Sequence, residues 1–147
     1  MTIAELYQIL LRADCKMIGC TEKEIAKIEH SLNIVLPQAY KEFLAFMGKK
    51  AGQFLSGSSA FYNEISDMQD GAKELLVFNQ FKELPDGAFV FFMHQGYQFA
   101  FFLLEESDDP QVYYYYEGRT QNDFERTGDS FTDFLKAHLK LSGIKNG

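Results

Sequence analysis

Acidic side chains are the most concentrated reactive groups in this sequence, and they gather in its last third. Nine acids and two bases lie between Glu105 and Asp133, whereas the rest of the chain holds twelve of each. The formal net charge of −7 is therefore confined to one segment. Two interpretations stay open: a solvated loop that confers solubility, or a negative surface that complements a basic protein partner.

The residues predicted to bind a partner are six of these acids and the four consecutive tyrosines among them. Tyrosine tolerates a half-wet position, because its ring packs while its hydroxyl stays solvated, and it often anchors interfaces. On a strand, four consecutive tyrosines place two on each face. The candidate binding residues are Glu105, Glu106, Asp108, Asp109, Tyr113, Tyr114, Tyr115, Tyr116, Asp123 and Glu125.

Groups suited to covalent or metal chemistry are sparse. His30 is predicted on a helix and His94 in a turn, and His138 lies near the end of the last helix, where a cation suits the dipole. The sequence has no HExxH, GxSxG, GxxxxGK[ST] or GxGxxG pattern and no calcium-loop spacing. Cys15 and Cys20 match no zinc-ligand spacing, and we expect two reduced thiols. We therefore predict a non-enzymatic protein without catalytic residues, cofactor or metal.

Charge and hydropathy also exclude two classes of partner. Nucleic-acid binding needs a basic face, which a net charge of −7 argues against. No apolar run approaches the roughly 18–20 residues that span a bilayer. The first residues lack the basic region and apolar stretch of a signal peptide, so we expect a cytoplasmic chain. Its partner should be a protein, while the oligomeric state is left open.

Apolar periodicity and capping patterns predict five helices. Capping boxes are expected at Thr21 with Glu24, at Ser66 with Gln69, and at Ser130 with Asp133. Gly48 is expected to end the third helix as a left-handed cap, and Phe78 to belong to the inner face of the fourth. The helices are predicted over Thr2–Arg12 and from Thr21, Pro37, Ser66 and Ser130.

The second half of the chain has the pattern of strands, which follow shorter ones in the middle. The sequence predicts an α+β fold, a single domain over residues 1–147 with an antiparallel sheet packed by N-terminal helices and a C-terminal helix. Two of these strands carry apolar residues at both odd and even positions, so apolar side chains point to both faces of the sheet. Either both faces are covered, or one is an exposed aromatic patch. Strands are predicted at Gln53–Leu55, Ala60–Tyr62, Ala88–Met93, Tyr97–Leu104 and Gln111–Tyr116.

A fairly specific pattern occupies residues 21–48, and it resembles the opening signature of the SUKH superfamily. Later counterparts are the hydrophobic hairpin, the acidic turn before a Val-Tyr strand, and the Ser-Phe and Phe-Leu pairs of the last helix, so the resemblance covers about 21–141. The signature residues are Thr21–Glu29, Leu32, Ile34, Leu36, Pro37, Tyr40–Leu44 and Gly48. By position these residues are expected to serve folding rather than binding.

The resemblance implies an α+β immunity protein that binds and neutralises a cognate bacterial toxin, often a nuclease. The superfamily also contains fungal regulators of cell-wall glucan synthesis. A regulatory or scaffold module that acts through protein partners is therefore the alternative.

Overall fold

In the computed structural model, which describes residues 1–144, five α-helices and seven strands follow one another along the chain. The helices are α1 (Ile3–Arg12), α2 (Glu22–Leu32), α3 (Gln38–Met47), α4 (Ile65–Phe78) and α5 (Phe131–Leu141). The strands are β1 (Met17–Ile18), β2 (Lys50–Ala51), β3 (Ser58–Ser59), β4 (Ala88–His94), β5 (Gln98–Leu103), β6 (Gln111–Tyr116) and β7 (Glu125–Ser130). The α+β prediction is confirmed over these residues, and 145–147 lie outside them.

Local side chains begin α2 as predicted, and at α5 one of the two predicted capping bonds is present. Thr21 and Glu24 form the full capping box: the Thr21 N–H donates to Glu24 Oε1 (2.9 Å) and the Glu24 N–H to Thr21 Oγ1 (3.2 Å). At α5 the Asp133 N–H donates to Ser130 Oγ (3.3 Å). These bonds satisfy amide donors that a helix leaves unpaired at its N-terminus.

The capping box predicted at Ser66 is wrong. Helix α4 begins one residue earlier, at Ile65, and has no side-chain cap. The Gln69 side chain instead accepts a bond from the Val90 N–H (3.0 Å) and donates to the Val90 carbonyl (2.6 Å). Gln69 thus takes the place of a neighbouring strand at the edge of β4, where unpaired backbone groups would otherwise be open. Phe78 is 80% exposed, so it does not belong to the inner face.

The main sheet has the order β3-β4-β5-β6-β7, and every neighbouring pair is antiparallel. Strand β7 was not predicted. The strands expected at Gln53–Leu55 and Ala60–Tyr62 are wrong, because the pairing residues lie just before each of them. Lys50–Ala51 pairs with β1 in a separate two-stranded sheet, and Ser58–Ser59 pairs with the end of β4.

Helices α3 and α5 cover one face of the sheet. Ring contacts join Phe131 of α5 to Phe91 (5.1 Å between centroids) and Phe102 (5.8 Å). A bulge between Val90 and Phe92 makes Phe91 an extra residue in β4, so Phe91 and Phe92 both reach α5. The bulge explains part of the missing apolar–polar alternation.

Helix α4 and the chain that follows it cover the other face. Phe81 packs on Tyr115 (4.8 Å between centroids) and on Phe124 (5.2 Å), and Phe124 packs on Phe101 (5.1 Å). The interpretation in which both faces are covered therefore holds over most of the sheet. The rings of β4 and β5 form core rather than an open aromatic patch.

Gly48 does not end α3 in the left-handed conformation, which corrects the prediction. Its φ is −66°, in the ordinary helical region. A Cβ at this position would lie 2.7 Å from Cys20 Sγ and from Leu44 Cα, so glycine is required by close packing. Cys20 and Cys15 are both free and buried, and burial raises the pKa of Cys20 to about 11.

One hydroxyl in the core has no hydrogen-bond partner among the described residues. Tyr40 is fully buried, with its ring against Phe89, Phe102 and Phe131. An unsatisfied buried hydroxyl costs about 1–3 kcal/mol. Tyr40→Phe, which removes only this oxygen, is therefore expected to raise the free energy of unfolding by about 1 kcal/mol in urea denaturation.

The matched control is Tyr115→Phe. Tyr115, in strand β6, is also a buried ring, but its hydroxyl accepts a bond from Asn79 Nδ2 (2.9 Å). This variant leaves the amide without its partner and is expected to lose about 1 kcal/mol. If Tyr40→Phe destabilises the protein as much as Tyr115→Phe does, the Tyr40 hydroxyl is satisfied in solution.

Candidate functional site

The predicted acidic segment folds into two groups at opposite ends of β6. One turn, residues 104–110, precedes this strand, and the other, residues 117–124, follows it. Six residues at about 3.3 Å each separate the two turns by roughly 20 Å. The ten predicted binding residues therefore do not form one compact cluster.

The larger group, which we call the acidic pole, lies where β6 and α5 begin. Its turn residues are tied to β7 and α5 by hydrogen bonds. Gln111 joins Glu106 Oε1 to the Asp129 carbonyl, and the Phe131 N–H donates to the Pro110 carbonyl (2.9 Å). The acidic pole consists of Glu105, Glu106, Asp108, Asp109, Asp129 and Asp133.

Two of these acids also serve the fold. Asp109 is half-buried and receives both the N–H of Thr132 (3.0 Å) and its hydroxyl (2.5 Å), so it caps the first turn of α5. The Glu106 carboxylate accepts the Gln111 N–H (3.2 Å). Glu105 and Asp108 are exposed, and within residues 1–144 no hydrogen bond or ion pair engages their carboxylates. Asp133 is likewise exposed, but it lies in the first turn of α5, so Glu105 and Asp108 are the charges of the pole that least serve the fold.

At the other end of β6, acids meet bases. Asp123 forms an ion pair with Lys82, and the Arg119 side chain donates to the Asp123 carbonyl (2.6 Å). The hydrogen bond from Lys82 and then that from the Phe124 N–H hold the pKa of Asp123 below its usual value. Glu125 is followed directly by Arg126. The charges here nearly cancel, so the negative field comes mainly from the acidic pole.

The four tyrosines divide between the two faces of the sheet. Tyr113 stacks on Phe101 (5.3 Å), and Tyr115 is 2% exposed, so Tyr115 offers no surface to a partner. On the opposite face Tyr114 is half-buried. Tyr116 is 39% exposed, with the Arg119 guanidinium 5.5 Å from its ring centroid. Tyr116 is the strongest aromatic candidate for an anchor.

The comparison with protein families supplies the decisive observation. The sequence profile of the SMI1 / KNR4 family (SUKH-1) matches residues 19–137. The chain belongs to this family. The predicted SUKH membership is thus confirmed over nearly the predicted range. SUKH members are immunity or regulatory protein modules, generally non-enzymatic, and the family indicates protein partners. No curated protein sequence matches the chain significantly.

In this SUKH domain the signature residues hold the N-terminal helices together. Glu29 Oε2 accepts the N–H of Leu36 (2.7 Å) and so fixes the connection between α2 and α3. Pro37 precedes the first residue of α3, and Phe43 is 2% exposed. These signature residues therefore serve the fold.

Within residues 1–144, no three His, Cys, Asp or Glu side chains are grouped so as to hold a metal ion. None of the helices in the same range is long and apolar enough to cross a membrane.

Sequence reasoning missed a cleft at the C-terminal end of α5, away from the acidic pole. Its lining residues range in sequence from Leu55 to Ser142 and come from loops, four strands and a helix. His94 and His138 both line it, although neither histidine alone predicts a site. Burial, with His94 nearby, lowers the pKa of His138, which corrects the expectation that the helix dipole would favour its cation.

Proposed function

We propose that this SUKH domain is a cytoplasmic immunity protein that binds and neutralises a cognate toxin, and that its acidic pole meets a basic face of that toxin. The observation that carries the proposal is the segregation of charge. Glu105, Glu106, Asp108 and Asp109 lie together in the turn before β6, where none of them forms an ion pair among the described residues, whereas the acids at the other end of β6 lie beside bases. Asp129 and Asp133, the other two acids of the pole, share a groove with Lys136 and Lys140. A nuclease is the toxin class that fits, because a surface that attracts phosphate must be basic.

Helix termini account for some of this charge but not all of it. The Ala39 N–H at the start of α3 donates to the Asp108 carbonyl (2.9 Å), and α5 begins beside Asp109. The positive ends of both helix dipoles therefore stabilise carboxylates at the pole. The exposed carboxylates of Glu105 and Asp108 cap neither helix, and a binding role gives a reason for them.

The size of a typical interface also suits this surface. A stable complex buries about 800 Å² on each partner, which corresponds to a patch roughly 30 Å across. The acidic pole and the exposed Tyr116 lie about 20 Å apart along β6, so one partner can cover both. We propose that the pole steers the toxin and that Tyr116, with the open side of Tyr114, supplies the apolar contact.

Charge reversal at the pole tests this orientation. The double variant Glu105→Lys with Asp108→Lys is expected to slow association with the toxin by about tenfold or more at low ionic strength, with little change in dissociation. The rates are measured by stopped-flow or surface plasmon resonance. The difference should shrink as salt is added, because exposed charges are screened. Asp109 is left intact, since it caps α5.

The control reverses the same amount of charge elsewhere. Asp70→Lys with Glu74→Lys changes two exposed acids of α4, on the far side of the sheet. This variant should leave the association rate within about twofold of the wild-type rate. Equal slowing in both double variants would mean that net charge matters and the acidic pole does not.

Neutralisation itself requires the toxin. The wild-type protein is co-expressed with the product of the neighbouring gene, and survival is scored together with co-elution on gel filtration. Survival with a stable complex is the expected result. A complex that leaves the toxin lethal would support the regulatory or scaffold alternative, and the absence of both survival and complex would overturn the proposal.

A further inference from the structure

The cleft at the C-terminal end of α5 has a built set of polar groups that, apart from Tyr114, the proposed toxin interface does not use. Its volume is about 470 Å³. The walls come from the loop before β3, from β3, β4, β5 and β6, and from the end of α5. The polar lining residues that matter are Ser58, His94, Gln98, Tyr114, His138 and Ser142.

The two histidines are oriented by partners outside the cleft or at its edge. His138 Nδ1 lies 3.0 Å from the Phe134 carbonyl oxygen, which only accepts, so Nδ1 carries the proton and Nε2 is the free atom. His94 Nδ1 is 2.9 Å from Ser58 Oγ, its cross-strand neighbour, which again leaves Nε2 free. Each ring therefore has one nitrogen available for a ligand.

The remaining polar groups are left as donors. Tyr114 donates its hydroxyl proton to Gln98 Oε1 (2.5 Å), so the amide nitrogen of Gln98 is the group still to be satisfied. Ser142 Oγ accepts the Leu55 N–H (3.2 Å) and keeps its own proton to donate. Amide and hydroxyl donors thus converge with two imidazoles.

No carboxylate belongs to this lining among the described residues. The loop from Gly52 to Ser58 contains no ionisable residue. Glu125, which pairs with Tyr114 from the neighbouring strand, lies exposed at the margin. A wall of donors and imidazoles without an acid is complementary to an anion, and the apolar sides of Leu55 and Phe92 suit a short hydrocarbon chain.

We propose that this cleft is a carboxylate-binding site, filled either by a small organic acid or by a carboxyl side chain of a bound protein. The carboxylate accepts hydrogen bonds from the Gln98 amide and the Ser142 hydroxyl, and it pairs with the imidazolium forms of His94 and His138. The inference stands apart from toxin binding and does not depend on it.

Binding is expected to tighten as the pH falls. Burial lowers the pKa of the His138 imidazole, and the nearby His94 adds to this, so His138 resists protonation in the free cleft. A bound carboxylate favours both cations and raises their pKa, so the complex takes up protons. The other ionisable groups that face the histidines are Tyr97 against His94, Tyr114, whose pKa burial raises to about 12, and Glu125 beyond it.

The test uses the whole protein and its three histidines. Acetate, succinate and benzoate are added in turn at about pH 5.5 and about pH 7.5, near the usual imidazole pKa, and the imidazole resonances are followed by NMR. Succinamide is the uncharged control ligand. We expect His94 and His138 to shift and their pKa values to rise, while the exposed His30 serves as the internal reference. Equal shifts at His30, or none anywhere, would overturn the proposal.

A second arm separates the two sources of the carboxylate. A capped tripeptide with a central glutamate is titrated beside the small acids, and the better binder identifies the source. His138→Gln and His94→Gln should each weaken binding by about tenfold at the lower pH, whereas His30→Gln should not change it. If His30→Gln weakens binding as much as the cleft variants, the carboxylate binds elsewhere. Binding by neither probe contradicts the site.

Discussion

Gly19→Ala is expected to lower the free energy of unfolding by about 3 kcal/mol or more, measured by urea denaturation. A Cβ on Gly19 would lie 1.8 Å from the carbonyl oxygen of Ala45 and 2.8 Å from its carbonyl carbon. Both are backbone atoms of α3, which cannot rotate away as a side chain can. The next residue, Cys20, donates its N–H to the Leu44 carbonyl (2.8 Å), so relief of the clash would also cost a hydrogen bond.

The control is the same substitution in a helix. At Gly71, in α4, an added Cβ would meet only the side-chain end of Met93, at 3.4 Å and beyond. That distance is an ordinary contact with a flexible chain, while alanine favours a helix over glycine by about 1 kcal/mol. Gly71→Ala should therefore stabilise the protein by roughly 0.5–1 kcal/mol. A tolerated Gly19→Ala would show that the chain before α2 does not touch α3 in solution.

The sequence predicts best those features that depend on residues close to each other along the chain. The capping box at Thr21 forms because both of its partners are three residues apart on one helix turn. The same pattern at Ser66 fails because Gln69 has a distant competitor, the open backbone of Val90. A local pattern cannot reveal that competitor, which only the packing of α4 against β4 brings near.

Strand β7 escaped prediction because its sequence lacks the signals of a strand. Glu125–Ser130 is polar, contains Gly128 with a φ of +82°, and has no apolar alternation. As the last strand of its sheet it is exposed at one edge, where charges and a bulge discourage pairing with other chains. Its placement comes from pairing with β6 rather than from its own preference.

The sequence predicted the candidate site only in part, because residues that are close along the chain need not be close in space. Strand β6 separates acids that the composition grouped together, and alternation along the same strand buries Tyr115 while exposing Tyr116. The cleft could not be predicted at all, since its lining joins residues more than eighty positions apart. The net charge of the segment could be predicted from the sequence. Its division into the acidic pole and an end where acids lie beside bases could not.

Asp109→Ala is expected to lower the free energy of unfolding by about 2 kcal/mol. The carboxylate receives both the N–H and the hydroxyl of Thr132, so its loss leaves the first turn of α5 without two bonds. A charged acceptor at a helix N-terminus also interacts favourably with the dipole. Urea denaturation of the purified variant measures the effect.

The neighbouring acid is the matched control, and the pair decides how the acidic pole must be probed. Asp108→Ala removes an exposed carboxylate with no described partner and should change stability by less than about 0.5 kcal/mol. If the two variants lose the same stability, Asp109 does not cap α5 and both acids are free. If they differ as expected, a charge reversal at Asp109 would change folding as well as binding, because part of any loss of affinity would come from a destabilised α5. Only charges that the fold does not use, those of Glu105 and Asp108, then report on the partner alone.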